Sequence, residues 1–183
     1  QKMQANDKRI NLLRREKKLG LGTAYVTGFR YALQNGYDNV IMMDADLSHP
    51  PEKLPELINL PTDVAVGSRY IRGGGISGWP WHRYLLSKCA NTYARTVLGI
   101  SAHDLTGGFN RLRRKVLETI DLDKLKGEGY AFIIELKYNA WKNGFTIGEV
   151  PIIFKDRELG KSKLGKNIIW EAFWLVLRLR RNG

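Results

Sequence analysis

Short apolar runs alternate with longer segments of helical periodicity along the whole chain. Apolar runs bounded by polar residues are typical of buried strands, whereas apolar residues repeated at helical spacing indicate amphipathic helices. We predict strands over 9–13, 40–43, 63–67, 108–112 and 145–154. We predict helices over 20–34, 81–98, 129–143 and 167–180, and a short helix that begins at 49–52, where proline suits a first turn.

The alternation of strands and helices predicts an α/β fold in which helices cover a layered sheet. In the first long helix, Ala24, Phe29, Ala32 and Leu33 have the spacing of a buried face. Three successive glycines at 73–75 interrupt regular structure, and we expect a mobile loop there. The length of 183 residues fits one domain.

Composition excludes a disordered chain and points to an anionic partner. The chain is 43% hydrophobic and 26% charged, as in ordinary globular proteins, but its net charge is +12. This surplus predicts binding to nucleic acid, to an anionic membrane surface or to a phosphate-rich substrate. Cys89 is the only cysteine, so we expect a reducing compartment. We expect neither a signal peptide nor a membrane-spanning helix, because no apolar run has the length or position of either.

Two carboxylates follow the apolar run at 40–43. Asp44 and Asp46 come directly after this predicted strand, and ligands of open α/β sheets bind at the carboxyl ends of strands. Carboxylate oxygens are ligands that Mg²⁺ and Mn²⁺ prefer, and a diphosphate could complete the coordination. The alternative is a solvated acidic turn.

The residues around this pair resemble a known family. The block over 44–52, Asp-Ala-Asp-Leu-Ser-His-Pro-Pro-Glu, closely resembles the signature of dolichol- and polyprenol-phosphate mannosyltransferases, which are inverting family-2 glycosyltransferases. Further blocks resemble those of this family, in the same order, at 18–25, 66–70, 104–109, 129–135 and 156–163. The resemblance covers nearly all of 9–180.

The resemblance implies a GT-A-like, nucleotide-diphospho-sugar transferase fold: a single α/β domain with a mixed, mostly parallel sheet flanked by helices. It implies transfer of mannose from GDP-mannose to a polyprenyl or dolichyl monophosphate, with inversion and with Mg²⁺ or Mn²⁺ as cofactor. The family opens with a strand and a Pro-x-Tyr-Asn-Glu turn that holds the nucleotide base, and both are missing here. We therefore expect 1–183 to be an N-terminally incomplete catalytic domain.

The resemblance also assigns roles to individual residues. The metal ligands are Asp44, Asp46 and Ser48; many relatives carry glutamine in place of the serine, and the shorter side chain is expected to reach the metal through water. The residues that it assigns to donor binding are Met43, Asp44, Ala45, Asp46, Ser48, Arg69, Arg157 and Lys163. The acceptor phosphate is assigned to Arg69, Arg83 and Ser87, and catalysis to Asp44, Asp46 and Arg69.

These residue types suit a reaction between two anionic substrates. The second pKa of a phosphate monoester is about 6, so a lipid phosphate is mostly dianionic near neutral pH and needs no strong general base. Cations must hold the two substrates together, and the planar fork of arginine matches paired phosphate oxygens. Arg83 and Ser87 are four residues apart on one helix face. The alternative for each arginine is a solvated surface position.

Three further polar residues have structural interpretations. We expect Glu135, in the middle of an apolar helix, to be the buried partner of an arginine. Asp104 is expected to cap a turn or to lie near the acceptor, and His49, before Pro50, is expected to shape its turn.

The end of the chain, over 165–183, combines an apolar stretch with Arg178, Arg180 and Arg181. This pattern predicts either an amphipathic helix in a membrane interface or a core-packed terminal helix with a basic end. The first alternative places the protein peripherally on the cytoplasmic face of a membrane.

Other functions are open. The donor could carry glucose or an amino sugar within the same fold, or the chain could be a non-catalytic basic module that binds a membrane or nucleic acid. We do not expect nucleic acid as a partner, because the sequence has no recognised nucleic-acid-binding motif.

Overall fold

A computed structural model describes residues 6–17, 19–156 and 166–181, without the side chains of 166–169. The helices are α1 (Leu21–Gln34), α2 (Leu54–Asn59), α3 (Trp81–Leu98), α4 (Arg114–Thr119), α5 (Tyr130–Lys142) and α6 (Lys166–Arg181), and a 3₁₀ turn covers Pro51–Lys53. The strands are β1 (Asn39–Met42), β2 (Val64–Ser68), β3 (Gly75–Ser77), β4 (Asn110–Arg113), β5 (Ile147–Pro151) and β6 (Ile153–Lys155).

The main sheet has the strand order β1-β4-β2-β5. Strand β4 is antiparallel to both β1 and β2, whereas β2 and β5 are parallel. Three strands therefore run in one direction and one runs against them, which confirms the predicted mixed sheet. The carboxyl ends of β1, β2 and β5 meet the start of β4 at one edge of this sheet.

Helices cover both faces of the sheet, because its side chains alternate between two core clusters. Val64 and Val66 of β2 belong to a cluster with residues of α1, α4 and α5, while Ala65 packs with Leu57 of α2 on the opposite face. This arrangement confirms an α/β domain with a helix-flanked sheet. In α1, Phe29 and Ala32 are buried as predicted, whereas Ala24 and Leu33 are only partly buried.

Three predictions about local structure were wrong. Residues 9–13 form no strand; they are largely exposed, and Asp7 instead closes a local turn onto the Arg9 backbone N–H at 2.9 Å. The predicted strand over 145–154 is two strands, because β5 pairs with β2 in the main sheet and β6 pairs with β3 in a second, two-stranded sheet. The third glycine of 73–75 begins β3 rather than lying in a loop.

Helix α6 combines a packed face with an exposed face. Leu175 and Val176 are buried, and Phe173 stacks on Tyr93 of α3 with ring centroids 4.9 Å apart. Trp170 and Trp174 on the other face remain about 60% exposed. Within the described part of the chain, none of the helices is both long and apolar enough to cross a membrane.

Candidate functional site

A cleft of about 500 Å³ opens at the sheet edge where the strand ends meet. We call it the sheet-edge cleft. Asp44 and Asp46 enter it from the end of β1, Arg69 from the end of β2, and Gly108 from the approach to β4. The sheet order, which places β4 between β1 and β2, therefore brings together segments that are distant in sequence.

The turn over 44–49 holds the two carboxylates in a fixed arrangement. The Ser48 N–H donates to Asp46 Oδ1 at 3.1 Å, and the Asp44 N–H donates to His49 Nδ1 at 3.0 Å. The His49 ring is buried and stacks on Phe109, with centroids 5.2 Å apart. Because burial lowers the pKa of His49 and Nδ1 accepts a hydrogen bond, the ring is neutral with its proton on Nε2. His49 thus shapes the turn, as predicted.

The turn offers oxygen atoms that fit a divalent cation. Ser48 is 2% exposed, and its Oγ has no hydrogen-bond partner among the described residues. A buried hydroxyl without a partner is costly, and a cation or its water would satisfy it. The carboxylates of Asp44 and Asp46, in the same turn, offer charged oxygen atoms of the kind that such a cation prefers. No cluster of three or more His, Cys, Asp or Glu side chains suited to a metal occurs within the described ranges, so a bound diphosphate would have to supply further ligands.

Arg69 lies in a buried network at the base of the cleft. Its Nε and Nη2 donate to the two oxygens of Asp104 at 2.7 and 2.8 Å, and Nη2 also donates to Thr106 Oγ1 at 2.8 Å. Burial raises the pKa of Asp104, but the charge and hydrogen bonds of Arg69 outweigh it, so the pKa lies below its ordinary value. Asp104 is therefore an ionised partner of Arg69, and Nη1 is the guanidinium nitrogen that these contacts leave for a ligand.

The loop over 104–107 is held from three directions. Asn91 Oδ1 of α3 accepts the N–H groups of Leu105 and Thr106 at 2.7 and 3.1 Å. Lys137 Nζ of α5 donates to the carbonyls of Asp104 and Gly107 at 2.9 and 3.0 Å. Glu149 Oε1 of β5 accepts the Asp104 N–H at 3.0 Å. Asp104, and through it Arg69, is thus positioned by the core rather than by the surface.

Arg83 of α3 lies at the mouth of the cleft. Its guanidinium is stacked over the Trp79 ring at 4.0 Å, and its Nη1 donates to Asp156 at 3.2 Å. Arg83 Nε is buried and has no hydrogen-bond partner among the described residues. Ser87, one turn further along, accepts a hydrogen bond from Tyr70 at 2.7 Å. Arg83 and Ser87 therefore lie on one side of α3, as their spacing predicts, whereas Arg69 lies at the end of β2.

A second, mostly apolar cavity of about 530 Å³ lies next to the cleft, between α3, α5 and α6. We call it the helix cavity. Leu86, Ala90, Ile134 and Val176 are among its lining residues. The walls shared with the sheet-edge cleft are formed by Trp79, Arg83, Thr106 and Tyr130.

The structure brings together most residues proposed from sequence. Ala45 lines the cleft beside Asp44 and Asp46, but Met43 packs against the core cluster around Phe109. Arg157 and Lys163 lie outside the described residues. Glu135 is buried, as expected, and its carboxylate accepts the N–H groups of Lys126 and Gly127, both at 2.9 Å. The charge of Arg178, an arginine of the kind expected, also acts on it, but its hydrogen bonds go to the turn before α5.

Several cleft residues were not proposed from sequence. The cleft is also lined by Tyr25, His49, Trp79, Thr106, Gly108, Tyr130 and Phe154. Tyr25, Thr106, Gly108 and Tyr130 lie inside the blocks that carried the family resemblance. Their position in those blocks was the available signal, but spacing alone could not show that their side chains converge.

Comparison with known proteins agrees with this geometry. Residues 1–121 match the profile of glycosyl transferase family 2. A polyprenol monophosphomannose synthase of Mycolicibacterium smegmatis is 47% identical over 175 residues, which cover 94% of the chain and 66% of that protein. An undecaprenyl-phosphate mannosyltransferase of Micrococcus luteus is 41% identical, covering 95% of the chain and 72% of that protein. The chain thus spans about two thirds of the length of these relatives.

Solved structures show the same fold at low identity. Glucosyl-3-phosphoglycerate synthase from Mycobacterium tuberculosis, in complex with Mn²⁺, UDP-glucose and phosphoglyceric acid, matches with a TM-score of 0.61 and 14% identity, over 95% of the chain and 57% of that structure. Its complex with Mg²⁺ and UDP gives the same TM-score. This likeness confirms the GT-A-like fold expected from sequence.

Proposed function

The chain belongs to glycosyl transferase family 2, and on that premise we propose that it transfers mannose from GDP-mannose to a polyprenyl monophosphate. We include in the proposal a divalent cation, Mg²⁺ or Mn²⁺, and inversion at the anomeric carbon. The names of the mycobacterial and Micrococcus relatives support the mannosyl group and the polyprenyl phosphate.

The observation that carries the proposal is the junction of the two cavities at Arg83. A polyprenyl phosphate has a dianionic head and a long apolar tail, so its site needs a cationic pocket beside an apolar one. The Arg83 side chain lies on the wall that the sheet-edge cleft and the helix cavity share. Its buried Nε, which has no hydrogen-bond partner among the described residues, is suited to donate a hydrogen bond to a phosphate oxygen.

The donor is proposed to bind in the sheet-edge cleft with its diphosphate near Asp44 and Asp46. A cation held by these carboxylates, with Ser48 beside them, would neutralise charge on the diphosphate as it leaves. Arg69 is proposed to add its cationic charge from the base of the cleft, and Arg157 and Lys163 are proposed to contact the donor phosphates.

The reaction requires one bond to form and one to break. An oxygen of the acceptor phosphate attacks the anomeric carbon of mannose on the face opposite the diphosphate, and the bond from that carbon to the diphosphate oxygen breaks. GDP leaves with the electron pair, and the configuration at the anomeric carbon inverts. Because the attacking phosphate is already ionised, Arg69 and Arg83 act by holding the two anionic groups in line rather than by moving a proton.

The protein is further proposed to act peripherally at the cytoplasmic face of a membrane. Its acceptor is a lipid, and the exposed tryptophans of α6 beside Arg178 and Arg181 suit an anionic membrane interface.

The test is transfer of radiolabelled mannose from GDP-mannose to a polyprenyl phosphate by the full-length protein, with Mg²⁺ or Mn²⁺ and with an EDTA control. We expect Asp46→Ala to lower transfer by at least about 100-fold, because it removes a charged ligand of the cation. Asp38→Ala, at the opposite end of β1, should leave transfer unchanged. Transfer only from UDP-glucose would show that the proposed donor is wrong. Transfer that persists in EDTA would contradict the proposed requirement for a divalent cation.

A further inference from the structure

Tyr25 of α1 has a side chain that is fixed at its ring and polar at its tip. The ring is stacked between Phe29 and Phe132, with centroid distances of 6.2 and 5.7 Å. Phe29 and Phe132 are both buried in the main core cluster. The hydroxyl reaches the sheet-edge cleft, where Tyr25 is a lining residue. The core therefore sets the position of a single polar group in the cleft.

The Tyr25 hydroxyl lies near the carboxylate of Asp44, because both groups border the space at Gly108. A tyrosine hydroxyl carries a proton that it can donate, and an ionised carboxylate only accepts. On its other side, Asp44 is held through its backbone N–H by His49 Nδ1 at 3.0 Å. Asp44 is thus held at its main chain by His49, and the Tyr25 hydroxyl is a polar group near its side chain.

The space beside Gly108 shows how closely these groups converge. A Cβ atom built on Gly108 would lie 3.7 Å from His49 Cε1, 3.9 Å from the Tyr25 hydroxyl and 4.0 Å from Asp44 Oδ2. The three side chains therefore border one small space that a glycine leaves open. A side chain at this position would fill that space.

We propose that Tyr25 is a positioning residue for the cation that Asp44 binds. The inference rests on the proposed function, because it requires a cation at Asp44. By donating to the carboxylate, the hydroxyl holds one orientation of Asp44 before the cation arrives, so less side-chain freedom is lost on binding. Partners of this kind orient metal ligands, and their removal typically weakens metal affinity by about 10–100-fold.

The competing interpretation is that Tyr25 serves only the core through its ring. Tyr25→Phe separates the two roles, because phenylalanine keeps the stack with Phe29 and Phe132 and lacks only the hydroxyl. Tyr37→Phe is the matched control, since Tyr37 is 49% exposed in the turn after α1 and is not one of the residues that line the cleft.

The experiment is a titration of the full-length protein with Mn²⁺, followed by electron paramagnetic resonance of free Mn²⁺, with and without GDP. Thermal unfolding is measured on the same samples. We expect Tyr25→Phe to raise the Mn²⁺ dissociation constant by about tenfold at an unchanged unfolding temperature, and Tyr37→Phe to match the wild type.

Each result has a distinct meaning. Equal Mn²⁺ affinity of Tyr25→Phe and wild type would overturn the role of Tyr25 and leave the proposed function intact. Weaker affinity together with a lower unfolding temperature would assign the hydroxyl to stability and also overturn the proposal. A wild-type protein that binds no Mn²⁺, with or without GDP, would overturn the cation in the proposed function and this inference with it.

Discussion

At the scale of single residues, Lys137 shows how the core supports the site. Its side chain is 1% exposed, and its Nζ donates to two loop carbonyls rather than to a carboxylate. Burial lowers its pKa to about 8, despite the nearby charge of Asp104. The loop over 104–107 turns two of its carbonyls inward, and buried carbonyls need hydrogen-bond donors. The Lys137 amine supplies these donors.

We predict that Lys137 makes stability rise with pH in a defined window. Between about 8 and 10.5, its folded and ordinary pKa values, the unfolded chain binds a proton that the native chain does not. The free energy of unfolding should therefore increase with pH across this window, by up to about 3 kcal/mol relative to Lys137→Met. Urea unfolding at several pH values in this window gives the free energy of unfolding of the wild type and of Lys137→Met. The difference between the two removes the contributions of the other titrating groups, which both proteins share. A constant difference would contradict the lowered pKa.

At the scale of elements, the turn over 44–49 carries the two carboxylates of the proposed cation site and also contains a strained backbone. Leu47 has φ of 63°, the only positive value at a residue other than glycine among the described residues. Leu47 is 73% exposed, so packing of its side chain does not offset the cost of the strained backbone. The left-handed conformation of Leu47 lets the chain reverse, so that Asp46 accepts the Ser48 N–H and Ser48 turns its hydroxyl inward.

We predict that Leu47→Asn stabilises the protein by about 0.5–1 kcal/mol, because asparagine tolerates the left-handed region far better than leucine. Chemical denaturation gives the free energy of unfolding. Leu47→Ala is the control, since it removes the exposed side chain but keeps a Cβ in the strained conformation. An equal gain in both variants would show that the exposed leucine side chain, and not the backbone, was responsible.

The sequence was sufficient to predict those helices and strands whose ends depend on neighbouring residues in the chain. Helix α3 has the predicted bounds, because its apolar spacing is continuous and Gly99, with φ of 72°, ends it. The break between β5 and β6 could not be predicted, because it arises when the two halves pair with different strands. The Arg69–Asp104 pair joins residues 35 positions apart, and the Tyr25 hydroxyl and the Asp44 carboxylate converge beside Gly108 only in the folded chain. Motif blocks identified the site segments, but not these contacts.

At the scale of the whole molecule, exposed apolar side chains concentrate on α3 and α6, two of the three helices that line the helix cavity. On α3, Trp81 is 76% exposed, and Leu85 and Leu86 are nearly half exposed. On α6, Trp170 and Trp174 are about 60% exposed. Interfacial helices combine tryptophan with basic residues, and α6 ends in three arginines. Under the proposed function, the lipid acceptor would enter the helix cavity from a bilayer that contacts both helices.

We predict that the protein binds vesicles containing phosphatidylglycerol and that the double variant Trp170→Ser, Trp174→Ser binds them roughly tenfold or more weakly, since each exposed ring would lose apolar burial in the interface. Co-sedimentation with vesicles at several salt concentrations measures this, and the binding of both proteins should fall as salt screens the arginines. Tyr37→Ser, an exposed aromatic residue away from α3 and α6, is the control and should bind as the wild type does. If the double variant bound as tightly as the control, the aromatic face of α6 would not be the surface that contacts the bilayer.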